Sequence, residues 1–273
     1  MQVVLRQDQI PSSLSLIFRI LTKKSLTAEQ PFPELTLQID DFQLDAKQLA
    51  EYNNFCGFAP DQVPLCYPFV ACQPAQLLFL SDERVPVNAM GMIHMGVSFE
   101  QQQPLALGET YQFTLSFGEQ VRNDRGLEFE LLGQFSRADQ VQASFRSRCF
   151  IKVEGESSGG RGPRERRQNR EWQILNSMTF DSQQARGYAR LSGDYNPIHL
   201  HSMLARQFGF KAPIAHGMYM VAKILANTPE VLNQASFEFK RPALLPITGN
   251  IEYSEGAARF VNDKRKSIIE CQY

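Results

Sequence analysis

The segment Tyr188–Met218 reads YARLSGDYNPIHLHSMLARQFGFKAPIAHGM and holds a carboxylate and three histidines. Asp194 and His199 lie five residues apart in it, and the glycine, asparagine and proline around them oppose a continuous helix. A loop of this kind can direct a carboxylate and an imidazole at one point, where together they hold and polarise a water molecule. The segment therefore predicts an acid–base site.

The end of the same segment predicts a buried helix whose N-terminus lies near this loop. Apolar side chains cover most of the helical circumference from Ile214 to Ala226, which is typical of a helix buried on nearly all sides. The first turn of a helix has unpaired N–H groups, and Gly217 would let a ligand approach them closely. A thioester carbonyl placed there would be stabilised as it becomes enolate-like, by roughly 2.7–4 kcal/mol per donor in a known case.

Two parts of the chain resemble each other. The stretch 45–52 (DAKQLAEY) matches 181–188 (DSQQARGY) at an offset of 136 residues, and a glycine follows each stretch at the same distance. Further on, 64–68 (PLCYP) matches 213–217 (PIAHG) at an offset of 149, so the second half has 13 additional residues, which hold the polar loop. An internal repeat of this kind predicts two halves of similar fold.

Each half is predicted to contain a buried helix followed by four antiparallel strands, which is an α+β fold. In the first half the buried helix would run from Phe69 to Leu80, with a kink at Pro74. In the second half an additional short helix begins after Asp181, which suits an N-cap. Runs that alternate apolar with polar residues, as half-buried strands do, predict the strands Ile93–Glu100, Thr110–Glu119, Leu127–Arg137, Gln142–Val153, Ser236–Lys240, Ile247–Tyr253, Ala257–Val261 and Ser267–Tyr273.

The boundary between the halves is predicted in a stretch rich in glycine, serine, proline and arginine, which opposes regular structure. We expect an N-terminal half at 1–153, a linker at 154–170 and a C-terminal half at 171–273. The alternative reading of the linker is an anion-binding loop that meets a phosphate of the substrate.

The composition excludes several classes of protein. A formal net charge of −1 and a pI of about 6.4 argue against a nucleic-acid binder. The five cysteines form no C-x-x-C pair, which predicts reduced thiols in a cytoplasmic protein without a metal site. No apolar run approaches the ~18 residues of a membrane span. The short apolar stretch from Leu14 to Lys24 is expected to pack on its own protein, with a membrane surface as the alternative.

The segment closely resembles the hydratase motif of the MaoC-like family, which includes the (R)-specific enoyl-CoA hydratases, also called hydratase 2. The family pattern, Tyr…Ser-Gly-Asp-x-Asn-Pro-(Ile/Leu)-His…Gly-Phe…Ile-(Ala/Val)-His-Gly-Met, is matched in full between Tyr188 and Met218. The resemblance implies the hotdog fold, a catalytic pair of Asp194 and His199, and a Gly217 amide that binds the thioester carbonyl. It also implies substrate-binding roles for Tyr188, Asn196, His216 and Met218.

The whole chain resembles the double-hotdog members of this family, in which the N-terminal half has lost the catalytic loop and helps to form the acyl pocket. Phe58 stands in the place of Asp194, and Tyr67 in the place of His216. The resemblance therefore implies that the first half binds the substrate without catalysing. His201 departs from the family, which often has an acidic residue there, and we expect His201 to face solvent.

The resemblance implies a hydro-lyase that reversibly hydrates trans-2-enoyl thioesters to (R)-3-hydroxyacyl thioesters. Coenzyme A or acyl carrier protein would be part of the substrate, with no separate cofactor. A homodimer is left open, as are two other functions: a hotdog thioesterase, and a non-catalytic acyl-thioester-binding protein. Four basic residues near the motif are expected to be ordinary surface charges, with a contact to the phosphates as the alternative: Arg206, Lys211, Lys240 and Arg241.

Overall fold

The computed structural model describes residues 1–23, 31–89, 92–123, 126–151 and 170–273. The first half contains β1 (Gln2–Leu5), α1 (Ser13–Thr22), β2 (Thr36–Phe42), α2 (Ala46–Cys56), α3 (Tyr67–Ala71), α4 (Gln73–Ser81), β3 (Ile93–Gln101), β4 (Tyr111–Asn123), β5 (Gly126–Arg137) and β6 (Gln140–Ile151).

From β2 onward the second half repeats this order, with α8 in the place of α3 and α4 and with two extra short helices, α6 and α7. It contains β7 (Gln173–Phe180), α5 (Ser182–Ser192), α6 (Pro197–Leu200), α7 (Ser202–Gln207), α8 (Gly217–Asn227), β8 (Gln234–Phe239), β9 (Ile247–Ser254), β10 (Ala257–Asn262) and β11 (Ser267–Gln272). Among the described residues, no helix is long and apolar enough to cross a membrane.

The strands of the two halves follow the same spatial order. β2, β4, β5, β6 and β3 lie side by side, and β7, β9, β10, β11 and β8 repeat the arrangement. β3 and β8 pair antiparallel, from Gly96 opposite Glu238 to Glu100 opposite Gln234, and join the halves into one sheet of eleven strands within the described residues. The α+β prediction is confirmed, with the two predicted sheets joined edge to edge because β3 and β8 complete each other's backbone hydrogen bonds.

The predicted strands agree with the observed ones because each strand has one face on the core. In β4, Phe113 and Leu115 are fully buried, whereas Thr114 between them and Ser116 after them are more exposed. The buried rings of Phe113 and Phe135 pack with their centroids 4.7 Å apart. The core thus lies on one face of the sheet, and buried residues of the helices belong to the same cluster.

Two predicted helices are corrected by the structure. The predicted helix from Phe69 to Leu80 is divided into α3 and α4 at Cys72, because Pro74 fits the first turn of a new helix, where no N–H is needed. The predicted helix from Ile214 begins three residues later, at Gly217. Ile214 forms a β-bridge with Leu244, and the Ala215 N–H donates to the Ala243 carbonyl, so the chain before Gly217 is extended.

The strands β2 and β7 were not predicted, and they give each half a fifth strand. Before them, β1 pairs parallel to β2 at the edge of the sheet. The prediction that the apolar stretch after Ser12 packs on its own protein agrees with α1, where Leu16 and Ile20 are buried against the first half.

The predicted domain boundaries fall largely on residues that the structure does not describe. The described elements of the first half end at Ile151, and those of the second half begin at Gln173. The predicted linker, 154–170, lies outside the described residues except for Arg170. The boundaries at 153 and 171 therefore stay a prediction.

Candidate active site

The site begins where helix α5 ends. Asp181 caps the start of α5: its carboxylate accepts from the Gln184 backbone N–H at 2.8 Å, and the Gln184 side chain accepts from the Asp181 N–H at 3.0 Å. Gly193 ends the helix with a positive φ of 74°, a conformation that glycine adopts without strain. The chain therefore turns sharply and Asp194 leaves the helix end.

The loop after α5 is held by its own side chains. The Asp194 carboxylate accepts from the Asn196 N–H at 3.2 Å, and the Asn196 side chain accepts from the Ile198 N–H at 3.3 Å, which caps the short helix α6. Pro197 occupies the first position of α6, where proline is favoured. These bonds turn the chain back so that His199 faces Asp194.

Asp194 and His199 form the centre of the site. The Asp194 Oδ2 and the His199 Nε2 are 3.9 Å apart, too far for a direct hydrogen bond but close enough for both to contact one oxygen atom. The His199 Nδ1 is 2.8 Å from the Ile214 carbonyl, which only accepts, so Nδ1 carries the proton. In the neutral ring Nε2 is then an acceptor.

The charges of this pair follow from burial and proximity. Burial alone would raise the pKa of Asp194, but His199 and His216 oppose it and hold that pKa below its ordinary value. Burial lowers the pKa of His199, and the nearby Asp194 offsets part of this effect. Near neutral pH, Asp194 is therefore a carboxylate and His199 a neutral imidazole, the states required for two groups that accept protons.

His216 lies behind His199 and contacts both members of the pair. Its ring stacks on the His199 ring at a centroid distance of 3.9 Å, and its Nε2 donates to the Asp194 carbonyl at 3.1 Å. Burial lowers the pKa of His216 to about 3, so it is neutral. His216 is not among the residues that line the cavity. His216 is thus placed to position Asp194 and His199, and its substrate-binding role stays a prediction.

A cavity of about 360 Å³ lies between the two halves and contains this pair in its wall. Gly217, the first residue of α8, also lines it, and a side chain there would meet the Phe239 ring at 2.8 Å. The N–H of Gly217 lies in the first turn of α8, where it has no partner within the helix, whereas the Tyr219 N–H donates to the His216 carbonyl at 3.1 Å. The other predicted substrate-binding residues that reach the cavity wall are Tyr188, Asn196 and Met218.

The first half contributes polar groups that the sequence did not predict. His94 on β3 and Ser147 on β6 line the cavity, and the His94 Nε2 is 2.9 Å from the Ser147 Oγ. Burial lowers the pKa of His94 to about 4, with Asp194 opposing the effect. Three of the chain's four histidines therefore lie at this site. The available signal was a histidine inside an apolar strand, with no neighbouring motif to mark it.

The remaining basic and polar candidates separate into two groups. Lys240 and Arg241 line the cavity, where Lys240 contacts Glu270 at 3.6 Å and Arg241 donates to the Ser267 carbonyl at 2.6 Å. Arg206 and Lys211 are not among the lining residues. His201 is exposed, as predicted.

The carboxylate and two imidazoles also have a spacing that a metal ion could use. Asp194, His199 and His216 each have a potential ligand atom within 4.8 Å of the others. The expectation that the site works without a metal or cofactor therefore stays a prediction.

Comparisons with known proteins identify the second half. Residues 164–243 match the model of the MaoC like domain. The chain is 29% identical over 229 residues to 3-hydroxyacyl-thioester dehydratase X of Mycobacterium tuberculosis, covering 82% of this chain and 81% of that protein. It is 30% identical over 124 residues to the peroxisomal multifunctional enzyme type 2 of Drosophila melanogaster, covering 40% of this chain and 21% of that enzyme.

Solved structures agree in fold. The crystal structure of HtdX from Mycobacterium tuberculosis superposes with a TM-score of 0.75 at 25% identity, covering 87% of this chain and 98% of that chain. A MaoC-like dehydratase from Phytophthora capsici superposes with a TM-score of 0.65 at 21% identity, covering 91% and 98%. The chain therefore carries a MaoC-like domain within a double-hotdog fold.

Proposed function

We propose that the protein is a hydro-lyase that adds water reversibly to trans-2-enoyl thioesters and forms (R)-3-hydroxyacyl thioesters. The observation that carries this proposal is the convergence of the Asp194 carboxylate and the unprotonated His199 Nε2 at the wall of a largely apolar cavity. The name of one relative, a 3-hydroxyacyl-thioester dehydratase, supports the same chemistry.

In the proposed hydration, Asp194 acts as the main base on a water molecule that it holds together with His199. The water oxygen forms a bond to the β-carbon while one of its protons moves to the pair, and the electrons of the carbon–carbon double bond move towards the thioester carbonyl. The proton then passes to the α-carbon. Each positioned acid or base contributes a factor of roughly 10²–10⁴ to the rate.

Gly217 has a separate role in this proposal. Negative charge develops on the thioester oxygen as the β-carbon is attacked, and the N–H of Gly217 at the start of α8 would donate to that oxygen. The helix dipole favours negative charge at the same place. Tyr188, Asn196 and Met218 would complete the substrate-binding wall around the reacting carbons.

The partner of the protein in this proposal is an acyl thioester of coenzyme A or of acyl carrier protein. Lys240 and Arg241 at the cavity are the basic residues placed to meet its phosphates. All five cysteines are free and buried, which is compatible with a cytoplasmic location. A homodimer of the chain is compatible with this proposal but is not required, because one chain contributes both halves of the cavity.

The proposed function is tested by following the loss of the enoyl absorbance of a short trans-2-enoyl-CoA. We expect loss with the wild type, and rates reduced by about 10³-fold or more in Asp194→Ala, Asp194→Asn and His199→Ala, with unchanged circular dichroism. A thiol-reactive dye in the same assay detects a thioesterase. Near-normal hydration by His199→Ala, or no hydration of any chain length on either carrier, would contradict the proposal.

A further inference from the structure

Helix α1 is an addition to the fold that the two halves share. In the described part of the second half, which starts at residue 170, no helix precedes β7, so α1 has no counterpart there. The helix packs on α4, and its side chains Ile17 and Ile20 line the cavity. Phe18 between them is 66% exposed and is not among the lining residues. An element outside the repeat thus forms part of the cavity wall.

The two helices begin side by side at the loop that carries the proposed catalytic pair. Ser13 is the first residue of α1, and Gln73 is the first residue of α4. A side-chain carbon added at Gly193, the residue before Asp194, would lie 2.9 Å from the Ser13 hydroxyl oxygen and 4.0 Å from the Gln73 side chain. The N-terminal ends of both helices therefore lie next to the reacting carbons of a bound substrate.

The C-terminal ends of the two helices are also held together. Lys23, which follows the last residue of α1, donates from Nζ to the Leu80 carbonyl in the last turn of α4 at 3.0 Å. The Asn88 side chain donates to the Ile20 carbonyl at 3.0 Å and to the Lys23 carbonyl at 3.1 Å, so carbonyls at the end of α1 have partners. The two helices thus run in the same direction, and the position of α1 along the cavity is fixed at both ends.

The lining residues of both helices follow one another away from the catalytic loop. On α4 they are three or four residues apart, which places them on one face of the helix: Gln73, Gln76, Leu77 and Leu80. On α1, Ile17 and Ile20 lie about 6 and about 10 Å from Ser13 along the helix axis, at a rise of about 1.5 Å per residue. An acyl chain that leaves the reacting carbons along this wall would therefore meet Ile17 first and Ile20 about one turn later.

The distribution of charge in the cavity supports this direction for the acyl chain. Among the described residues that line it, the charged side chains of Asp194, Lys240 and Arg241 all belong to the second half. The lining side chains of α1 and α4 carry no charge, and beyond the first turns they are apolar. A hydrocarbon chain is stabilised by leaving water for such a surface, whereas the phosphates of a carrier require charged or polar partners.

We propose that α1 sets the length of the acyl chain that the cavity accepts, with Ile17 and Ile20 as the residues that determine this specificity. The favoured substrates are thioesters whose acyl chain passes Ile17 and ends near Ile20. This inference rests on the proposed function, because it assumes that the acyl chain occupies the cavity. A larger side chain at either position should shorten the accepted chain, and it should exclude shorter chains at position 17 than at position 20.

The test measures kcat/KM for a series of substrates from trans-2-butenoyl-CoA to trans-2-tetradecenoyl-CoA. In Ile17→Trp the ratio of kcat/KM between long and short chains should fall by about 10-fold or more, because each CH₂ kept out of the cavity costs a factor of about four. Ile20→Trp should lower the ratio only for longer chains than those that Ile17→Trp excludes. Ile17→Ala enlarges the cavity and should shift the preference to longer chains, which tests the proposal even if the tryptophan variants do not fold. Phe18→Trp is the matched control on the exposed side of α1 and should keep the ratio of the wild type.

A binding measurement separates this inference from the proposed function. Calorimetry with saturated acyl-CoA thioesters, which have no double bond to hydrate, gives a Kd for each chain length without turnover. If no enoyl thioester is hydrated but Ile17→Trp weakens the binding of long chains relative to short ones by about 10-fold or more, and Phe18→Trp does not, the proposed function fails and the inference stands. The inference is overturned if no chain binds, if the variants at positions 17 and 20 keep the chain-length profile of the wild type, or if Phe18→Trp changes it equally.

Discussion

The two halves of the molecule share a helix that begins at an aspartate cap and ends at a glycine, but different side chains follow this helix. In the first half Asp45 caps α2 and Gly57 ends it with a φ of 93°, and in the second half Asp181 caps α5 and Gly193 ends it with a φ of 74°. After these glycines the halves diverge: Phe58 follows in the first half and Asp194 in the second. The capped helix with its terminal glycine therefore does not by itself make a catalytic site.

The ring packing against this helix is also repeated in the two halves. Tyr67 meets Tyr52 with ring centroids 5.0 Å apart at 54°, and His216 meets Tyr188 at 5.2 Å and 53°. The same place in the fold thus holds a buried phenol in one half and an imidazole that bonds to the loop in the other. The difference teaches that 13 extra residues and a few polar replacements distinguish a pocket wall from the proposed catalytic wall.

The strongest test of this comparison changes the two equivalent residues to the same side chain. His216→Phe removes the hydrogen bond to the Asp194 carbonyl while keeping a ring behind His199. We expect kcat for enoyl-CoA hydration to fall about 10²-fold, because displacing a catalytic group by about 1 Å can cost that much. Steady-state kinetics at saturating substrate measure the effect.

Tyr67→Phe is the matched control in the first half. The Tyr67 hydroxyl is buried and has no hydrogen-bond partner among the described residues, so its removal should leave kcat within about three-fold of the wild type and raise the free energy of unfolding by up to about 1 kcal/mol. Urea denaturation measures the stability. Equal losses of kcat in both variants would break the distinction between the halves.

A smaller effect is expected from pH on the free energy of unfolding, through one buried histidine in each half. Burial lowers the pKa of His94 to about 4 and that of His216 to about 3, from 6.5 in the unfolded chain. The unfolded chain therefore binds more protons below pH 6.5, and the free energy of unfolding should fall as the pH drops from about 6.5 towards about 4. Each histidine contributes a slope of up to about 1.4 kcal/mol per pH unit.

This slope is measured by urea denaturation at several pH values. His94→Phe and His216→Phe should each flatten it, because each removes one group whose proton uptake favours unfolding. The exposed His201 provides the control, and His201→Gln should keep the slope of the wild type. Unchanged slopes in both phenylalanine variants would show that these histidines do not control acid stability.

The smallest expected effects concern the two helix caps. Asp45 accepts from the Gln48 N–H at 2.7 Å, and Asp181 makes the equivalent bond while its own N–H donates to the Gln184 side chain. Asp45→Ala and Asp181→Ala should each lower the free energy of unfolding by about 1 kcal/mol, with the larger loss at Asp181. Chemical denaturation checks this, with asparagine at each position as the conservative control. A larger loss at Asp45 would contradict the comparison.

Much of the fold could be predicted because its elements follow local patterns. Alternation along β3–β6 and β8–β11 reflects one buried face, and the aspartate before α5 marks a helix start. Strand β7 was missed because most of its residues are exposed at the edge of the sheet, so its alternation is weak. The break at Cys72 lies two residues before the kink predicted at Pro74, because proline is favoured in the first turn of the new helix.

The residues of the candidate site also divide into those that a local motif indicates and those that only tertiary packing brings together. Asp194, His199 and Gly217 lie within one short segment, so a local motif could indicate them. His94 and Ser147 are 53 residues apart and meet only because β3 and β6 are neighbours in the sheet. The position of His216 behind His199 likewise depends on tertiary packing, which a local motif does not specify.

The pairing of β3 with β8 has a consequence for how the chain can be divided. Cutting the molecule between its halves would uncover the edge of β8 from Gln234 to Phe239 and the opposite edge of β3. An uncovered strand edge is a template on which other chains add, and it leads to aggregation. Residues from β6 also line the cavity. The first half therefore covers the β8 edge of the second half and closes its pocket.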